Sequence, residues 1–250
     1  MQEIPLFKSA LLAGFPELCF AMSTRYGGVS PAPLGMNLSF NVGDDPENVR
    51  RNRSLFFDAV GVVPERVVYA GQIHSDIVQE AQSPGKLESC DALTTNQRDL
   101  YLAISVADCI PIFLYDPVGK CVAAVHSGWK GTEKGIVAKA IHEMTTRYGS
   151  KAGELYAVIG PGAGGCCYEV GEEVARKFPD EIVDRSGPGR PRLDLKRRNR
   201  DLLIESGVKS SSIETSADCT IVRMDRYHSF RRDGKVSGRM LGVIGLRPLP

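Results

Sequence analysis

The chain has 250 residues, 42% of them hydrophobic and 24% charged, which is enough apolar material for a sizeable core and is ordinary for a soluble globular protein. Lys plus Arg total 31 against 30 Asp plus Glu, so the net charge of +1 supplies no global field for nucleic acid or an anionic membrane, and any basic site must be local. No apolar run approaches the ~20 residues of a membrane span. The N-terminal stretch MQEIPLFKSALLAGFPELCF carries an early acid and a proline where a secretory signal has a basic flank and an apolar core, so the expected compartment is the cytoplasm. Seven cysteines, an odd number with no CxxC pair, argue against a disulfide framework, a zinc ribbon or a thioredoxin-type motif.

In chain order, the first clear element is PENVRRNRSLFFDAVG at 46–61. Val49, Leu55, Phe56 and Val60 recur at helical spacing, with Asp45 or Pro46 at the start and Gly61 past the end. From 67 to 127 the pattern turns to short runs rich in Val and Ile. The last three, LYLAISVA, IPIFLYD and CVAAVHS, are apolar on both faces and predict central strands. Thr132 is placed to cap a helix running to about Arg147, with Ile136, Ala140, Ile141 and Met144 as its buried face and Gly149 closing it. A strand at 155–160 leads into the loop PGAGGCCYEVG, followed by a helix near 171–178, a surface loop SGPGRPR at 186–192, a helix from Asp194 to about Ser206, and a final strand near 240–247. Strand pairs interleaved with crossover helices predict a mixed α/β sandwich in preference to a regular doubly wound sheet.

Three segments each break an apolar run with a chemically active side chain: GQIHSDIVQ, SVADCIPIFLYDP and CVAAVHSGWKGT, carrying His74, Cys109 and His126. Alone, His74 reads as a hydrogen-bonded histidine at a strand edge. Together, two imidazoles and a thiolate delivered to one sheet rim are three zinc ligands, and a fourth position left open marks a catalytic site. Gly128, Gly131 and Thr132 add a turn and a helix start whose free N–H groups suit an anion, although a plain strand-to-helix turn needs the same residues. Trp129 either walls a pocket or anchors that helix. The glycine-rich PGAGGCCYEVG lacks the Lys-Ser/Thr of a P-loop, so a tight loop is its simpler reading, and a vicinal Cys166–Cys167 disulfide would be strained. The arginine-rich segment RMDRYHSFRRDGKVSGR at 223–239 is either a solvated hairpin or a phosphate-binding cluster. His142 reads as a surface residue of a helix.

Taken as a set, TRYGGVSPAPLGMNLS, NVRRNR, GQIHSD, CDALTT, ADCIPI, AVHSGWKGT, IGPGAGGCCYEVG, LDLKRRN and SFRRDGKVSGR closely resemble the polyphenol-oxidase-type laccase domain family, also described as YfiH-like purine nucleoside phosphorylases. The resemblance spans nearly the whole chain. It implies one mixed α/β domain over 1–250, with layered sheets flanked by helices, and a zinc, or copper, held by His74, Cys109 and His126. It also implies phosphorolysis of adenosine, inosine, guanosine and 5′-methylthioadenosine to a free base and ribose 1-phosphate, with adenosine deaminase activity beside it. Earlier descriptions of the family give copper-dependent oxidation of phenols. By position, Arg25, Asn37, Arg53 and Arg231 would lie on the substrate or phosphate side, with purine nucleosides and phosphate as partners, no nucleic acid or membrane, and a monomer or homodimer as the assembly. In GPGAGGCCYEV this chain departs from the family, which more often has a bulkier apolar residue after the proline and a proline before the cysteine pair.

The ligand set itself leaves the chemistry open. A three-ligand zinc activates water for attack on a purine, but nucleobase deaminases pair the metal with a free carboxylate, and with no HxE motif Asp76, Asp91 or Asp108 would have to serve. His2Cys is also a type-1 copper set, yet multicopper oxidation needs more histidines than the four present. Cys109 with His126 as base would make a metal-free cysteine hydrolase. From another class, the zinc could be structural in a binding module.

Overall fold

A computed structural model of the chain describes residues 4–249, so the first three residues of the N-terminal stretch and the last residue lie outside the description. In chain order the strands are β1 (Leu6–Phe7), β2 (Leu18–Ser23), β3 (Val67–Gly71), β4 (Val78–Glu80), β5 (Gly85–Glu88), β6 (Ala92–Thr95), β7 (Leu100–Val106), β8 (Ile110–Asp116), β9 (Cys121–Ser127), β10 (Tyr156–Ile159), β11 (Val183–Asp184), β12 (Arg192–Leu193), β13 (Ile213–Thr215) and β14 (Met240–Leu246). The helices are α1 (Pro46–Val60), α2 (Trp129–Glu133), α3 (Ile136–Tyr148), α4 (Glu172–Ala175), α5 (Leu195–Glu205) and α6 (Phe230–Asp233).

Two six-stranded mixed sheets form the centre. Their orders are β1-β2-β14-β7-β3-β5 and β13-β10-β8-β9-β6-β4, and β11 pairs with β12 in a small separate ladder. Alternation along each strand explains the layering, because successive side chains point to opposite faces. On β7, Leu100, Leu102 and Ile104 meet Phe113, Tyr115, Val122 and Ala124 of the other sheet, while Tyr101 and Ala103 face Phe56 and Phe57 of α1. On β8 and β9, Ile112, Leu114, Ala123 and Val125 turn the other way, onto Val137, Ile141 and Met144 of α3 and Leu203 of α5. The result is a four-layer α/β/β/α sandwich. Strands buried on both faces need continuous apolar runs, as those three segments have. Gly242 of β14 belongs to this packing: a Cβ there would lie 2.4 Å from the Phe113 ring.

Helix α1 starts at Asp45, whose side chain accepts from the Glu47 N–H, and ends at Gly61 in the left-handed region with φ 68°. Asp194 caps α5 in the same way through the Arg197 N–H. The expected Thr132 cap is displaced. Thr132 lies inside the short α2 with its hydroxyl on the Gly128 carbonyl, and the long α3 begins only after Gly135, whose φ of 69° breaks the run in a conformation that L side chains rarely adopt. The helix expected near 171–178 is a single turn, α4, and SGPGRPR connects β11 to β12, exposed through Arg190 but buried at Pro191, with Arg192 already in β12. Among the described residues no helix is long and apolar enough to cross a membrane.

Candidate active site

Residues 107–109 carry the chain out of β7 in one sheet and into β8 in the other, so Cys109 sits at the seam between them. Antiparallel register pairs Ile110 with Ser127 and Pro111 with His126, which brings the end of β9 beside Cys109. His74 arrives from a third direction, on the loop after β3. Its ring and that of His126 meet edge to face at 5.0 Å between centroids, and the donor atoms of His74, Cys109 and His126 all lie within 4.8 Å of one another.

One carboxylate organises all of this. β6 pairs Ala92 with Val125, placing the buried Asp91 opposite His126, whose Nδ1 is 2.7 Å from Asp91 Oδ1. The other bonds of Asp91 go to the His74 loop: the N–H groups of Ile73, His74 and Ser75 donate to it at 3.2, 3.0 and 2.6 Å, and the Ser75 hydroxyl at 2.7 Å. Asp91 therefore fixes one histidine by its ring and the other by its backbone. Of the three carboxylates considered from the sequence as a proton-transfer group, Asp91 is fully spent in this role, and Asp76 is paired with Lys139 and Lys134. Asp108 lines the site but accepts from the Thr220 hydroxyl and the Arg231 N–H, both at 2.7 Å. Both His74 (φ 59°) and Asp108 (φ 86°) hold positive φ, a strained state for non-glycine residues that these bonds stabilise.

The electrostatics follow from the contacts. Burial would raise the Asp91 carboxyl, but the bonds from His126 and Ser75 hold it well below the usual carboxylate range. Asp91 is thus an acceptor, and the His126 Nδ1–H donates to it. Burial would likewise raise the Cys109 thiol, yet His126 and His74 bring it down to about 6. Burial works in the opposite sense on His126, where Cys109 and Asp91 lift it to about 9. Each partner thus favours the charged form of the other, thiolate on Cys109 and imidazolium on His126.

These residues fit a metal. With Nδ1 of His126 committed to Asp91, Nε2 is left as the donor, the carboxylate–histidine arrangement that orients metal ligands. Gly128 leaves the room required, because a Cβ there would come 3.1 Å from Cys109 Sγ and 3.4 Å from the His74 ring. Two nitrogens and a thiolate suit a borderline-soft divalent ion.

The three donors line a cleft of about 890 Å³, a size ordinary for small-molecule sites. Three arginines edge it. Arg53 lies between the rings of Phe40 and Tyr69, 4.6 Å from each centroid, and its Nε donates to the Leu38 carbonyl. Arg231 lies over Tyr168 at 4.7 Å, and Arg239 over Phe230 at 5.5 Å. Trp129 both lines the cleft and packs against the α3 core. Arg25 and Asn37 sit elsewhere: Arg25 donates to the Met224 and Pro33 carbonyls outside the lining. Asn37 is fully buried, bonding Ser39, Asp44 and the Arg239 N–H, and so shapes the loop that carries Phe40. The residues missed from sequence are Asp91 as organiser and Arg239, Phe40, Tyr69, Tyr168 and Phe230 on the walls. Arg239 and Phe230 were within reach, since both fall in the arginine-rich segment. His142 is exposed.

A three-donor centre at the base of a cationic, aromatic cleft has the arrangement of an enzyme active site. The chain belongs to the family described as multi-copper polyphenol oxidoreductase laccase, whose model matches residues 19–247. It is 35% identical to the purine nucleoside phosphorylase YlmD of Bacillus subtilis, over 92% of this chain and 89% of that one. It is 41% identical to a purine nucleoside phosphorylase of Corynebacterium glutamicum, over 90% and 92%. Among solved structures, YlmD of Geobacillus stearothermophilus superposes with a TM-score of 0.92 at 30% identity, covering 99% of this chain and 98% of that one. YfiH of Bacillus licheniformis gives 0.86 at 34%, over 92% and 93%.

Proposed function

We propose that this chain is a zinc-dependent purine nucleoside phosphorylase, with adenosine, inosine, guanosine and 5′-methylthioadenosine as substrates and adenosine deamination as a side activity. The observation that carries the reading is the His74–Cys109–His126 centre opening into a cleft edged by Arg53, Arg231 and Arg239. In phosphorolysis a phosphate oxygen bonds to C1′, the C1′–N9 bond breaks, and its electron pair leaves with the purine. Positioning and charge stabilisation supply most of such an effect. Guanidinium forks match phosphate oxygens, and Phe40, Tyr69, Tyr168 and Trp129 offer faces for a purine. Zinc held by His74, Cys109 and His126 would supply Lewis-acid stabilisation of charge developing on an oxygen. Asp91 keeps both histidines aimed, and the names of the relatives point the same way.

Deamination ranks second because Asp108, beside the centre, already holds Thr220 and the Arg231 N–H. Multicopper oxidation is not favoured: of the four histidines, His142 is exposed and His228 is buried without a polar partner, which leaves two for metal. A metal-free cysteine hydrolase has one observation in its favour, the Asp91–His126–Cys109 relay.

Zinc-loaded protein incubated with inosine and with adenosine, with and without phosphate, tests the reading by its products. Hypoxanthine and ribose 1-phosphate that form only when phosphate is present are expected, with slower ammonia release from adenosine. Equal base release without phosphate would identify a hydrolase instead.

A further inference from the structure

Cys219 lies 52 residues beyond Cys167, yet the fold joins them: Gly162 bridges Cys219 in parallel, and the Thr220 N–H donates to the Gly162 carbonyl. The sulfurs of Cys166 and Cys167 are 3.2 Å apart, those of Cys167 and Cys219 also 3.2 Å, and all three fall within 4.8 Å. We propose that Cys166, Cys167 and Cys219 form a second metal site, all sulfur, that takes a thiophilic monovalent cation, Cu(I).

Metal–sulfur bonds of about 2.3 Å set three sulfurs roughly 3.8–4.0 Å apart around a common centre. Two spacings fall short of that value and the third is within 4.8 Å, so small side-chain rotations close the site. Its donor set holds no imidazole and no carboxylate; soft thiolates select Cu(I) or zinc over hard cations, and three donors fall short of the four that a structural zinc takes, which leaves Cu(I). The surroundings suit the charge of three thiolates about one monovalent ion. The Gly164 N–H donates to Cys219 Sγ at 3.2 Å. Lys196 is held beside the cluster by the Ser216 and Asp218 carbonyls, at 2.9 and 2.6 Å, and with Arg197 and Arg200 lines a cavity of about 390 Å³ that Cys166 and Cys219 share. Gly164 keeps the sulfurs close, because a Cβ there would lie 3.1 Å from the Cys219 Cβ and 3.3 Å from Cys166 Sγ. Exposure is graded from Cys166 at the surface through Cys167 to the buried Cys219, so a cation reaches the inner sulfurs through the outer one.

Reduced, zinc-loaded protein titrated with Cu(I) under argon against the chromophoric chelator bicinchoninate tests this directly. The wild type and Cys109→Ala are expected to retain one Cu(I) per chain, while Cys219→Ser and the surface variant Cys166→Ser lose it. Cys166→Ser should keep full inosine phosphorolysis, and because its side chain is exposed it guards against a misfolded Cys219→Ser. Failure of the wild type to retain Cu(I), retention by Cys166→Ser, or loss in Cys109→Ala overturns the proposal. An inactive wild type that still binds Cu(I) at these cysteines would contradict the proposed phosphorylase and leave this site standing.

Discussion

His126 and His228 are both buried, at 3% and 0% exposure, and both follow apolar or aromatic residues in sequence, yet their surroundings push them in opposite directions. Cys109 and Asp91 lift His126 to about 9. Burial takes His228 down to about 3, with the charges of Arg25, Arg239 and Arg232 acting in the same sense, and neither of its ring nitrogens has a polar partner. The thiolate beside the ring and the carboxylate bonded to its Nδ1 separate the two. A histidine with an anchored Nδ1 and a thiolate neighbour is prepared for a cation, whereas one among arginines is kept neutral. Burial alone therefore says little about whether a histidine is functional.

Asp91→Asn attacks that difference most strongly. Loss of the carboxylate leaves His126 without its anchoring charge and loosens the loop that presents His74, and second-sphere changes of this kind cost ~10–100-fold in metal affinity or activity. Competitive zinc titration and inosine kinetics should both show the drop. Wild-type affinity in Asp91→Asn would break the comparison.

The arginines give the next effect. Removing Arg53, stacked in the cleft wall, should raise the KM for phosphate by about tenfold, in line with a charge-assisted hydrogen bond. Arg25→Ala, outside the lining, should change it by less than about twofold. Steady-state kinetics at varied phosphate separates the two, and equal effects would show that the cleft is drawn in the wrong place.

The smallest effect concerns stability and pH. His228 has a folded value near 3, below its unfolded value of 6.5, so between those pH values the unfolded chain binds the extra proton and folding weakens as pH falls. The loss is at most about 1.4 kcal/mol per pH unit. His228→Leu removes that proton site with little change in volume. Urea unfolding at pH 7 and pH 5 should show the variant losing less stability than the wild type, and parallel losses would mean that His228 already holds a partner.

Much of this was legible in the sequence, for identifiable reasons. Segments such as IPIFLYD and CVAAVHS read as central strands because both faces are covered, one by the other sheet and one by α3. Asp45, Gly61 and Asp194 marked helix ends because capping is local. The break between α2 and α3 was not legible, since Thr132 has the residue type of a cap but bonds back to Gly128. Nor was the organising role of Asp91, whose partners at 73–75 and 126 meet only through sheet register. Arg25 and Arg239 both stand in motif segments, and only the fold shows which one faces the cleft. Cys166 and Cys167 suggested only a strained pair, because Cys219 is distant in sequence.

The central claim, that nucleoside cleavage takes place at His74, Cys109 and His126 with zinc, is tested most directly by one measurement. Inosine phosphorolysis is followed in metal-stripped protein, in the same protein after addition of one equivalent of zinc, and in Cys109→Ala treated identically. The account predicts activity that disappears on stripping, returns with zinc in the wild type and never returns in Cys109→Ala; full phosphorolysis by the metal-free protein would contradict it.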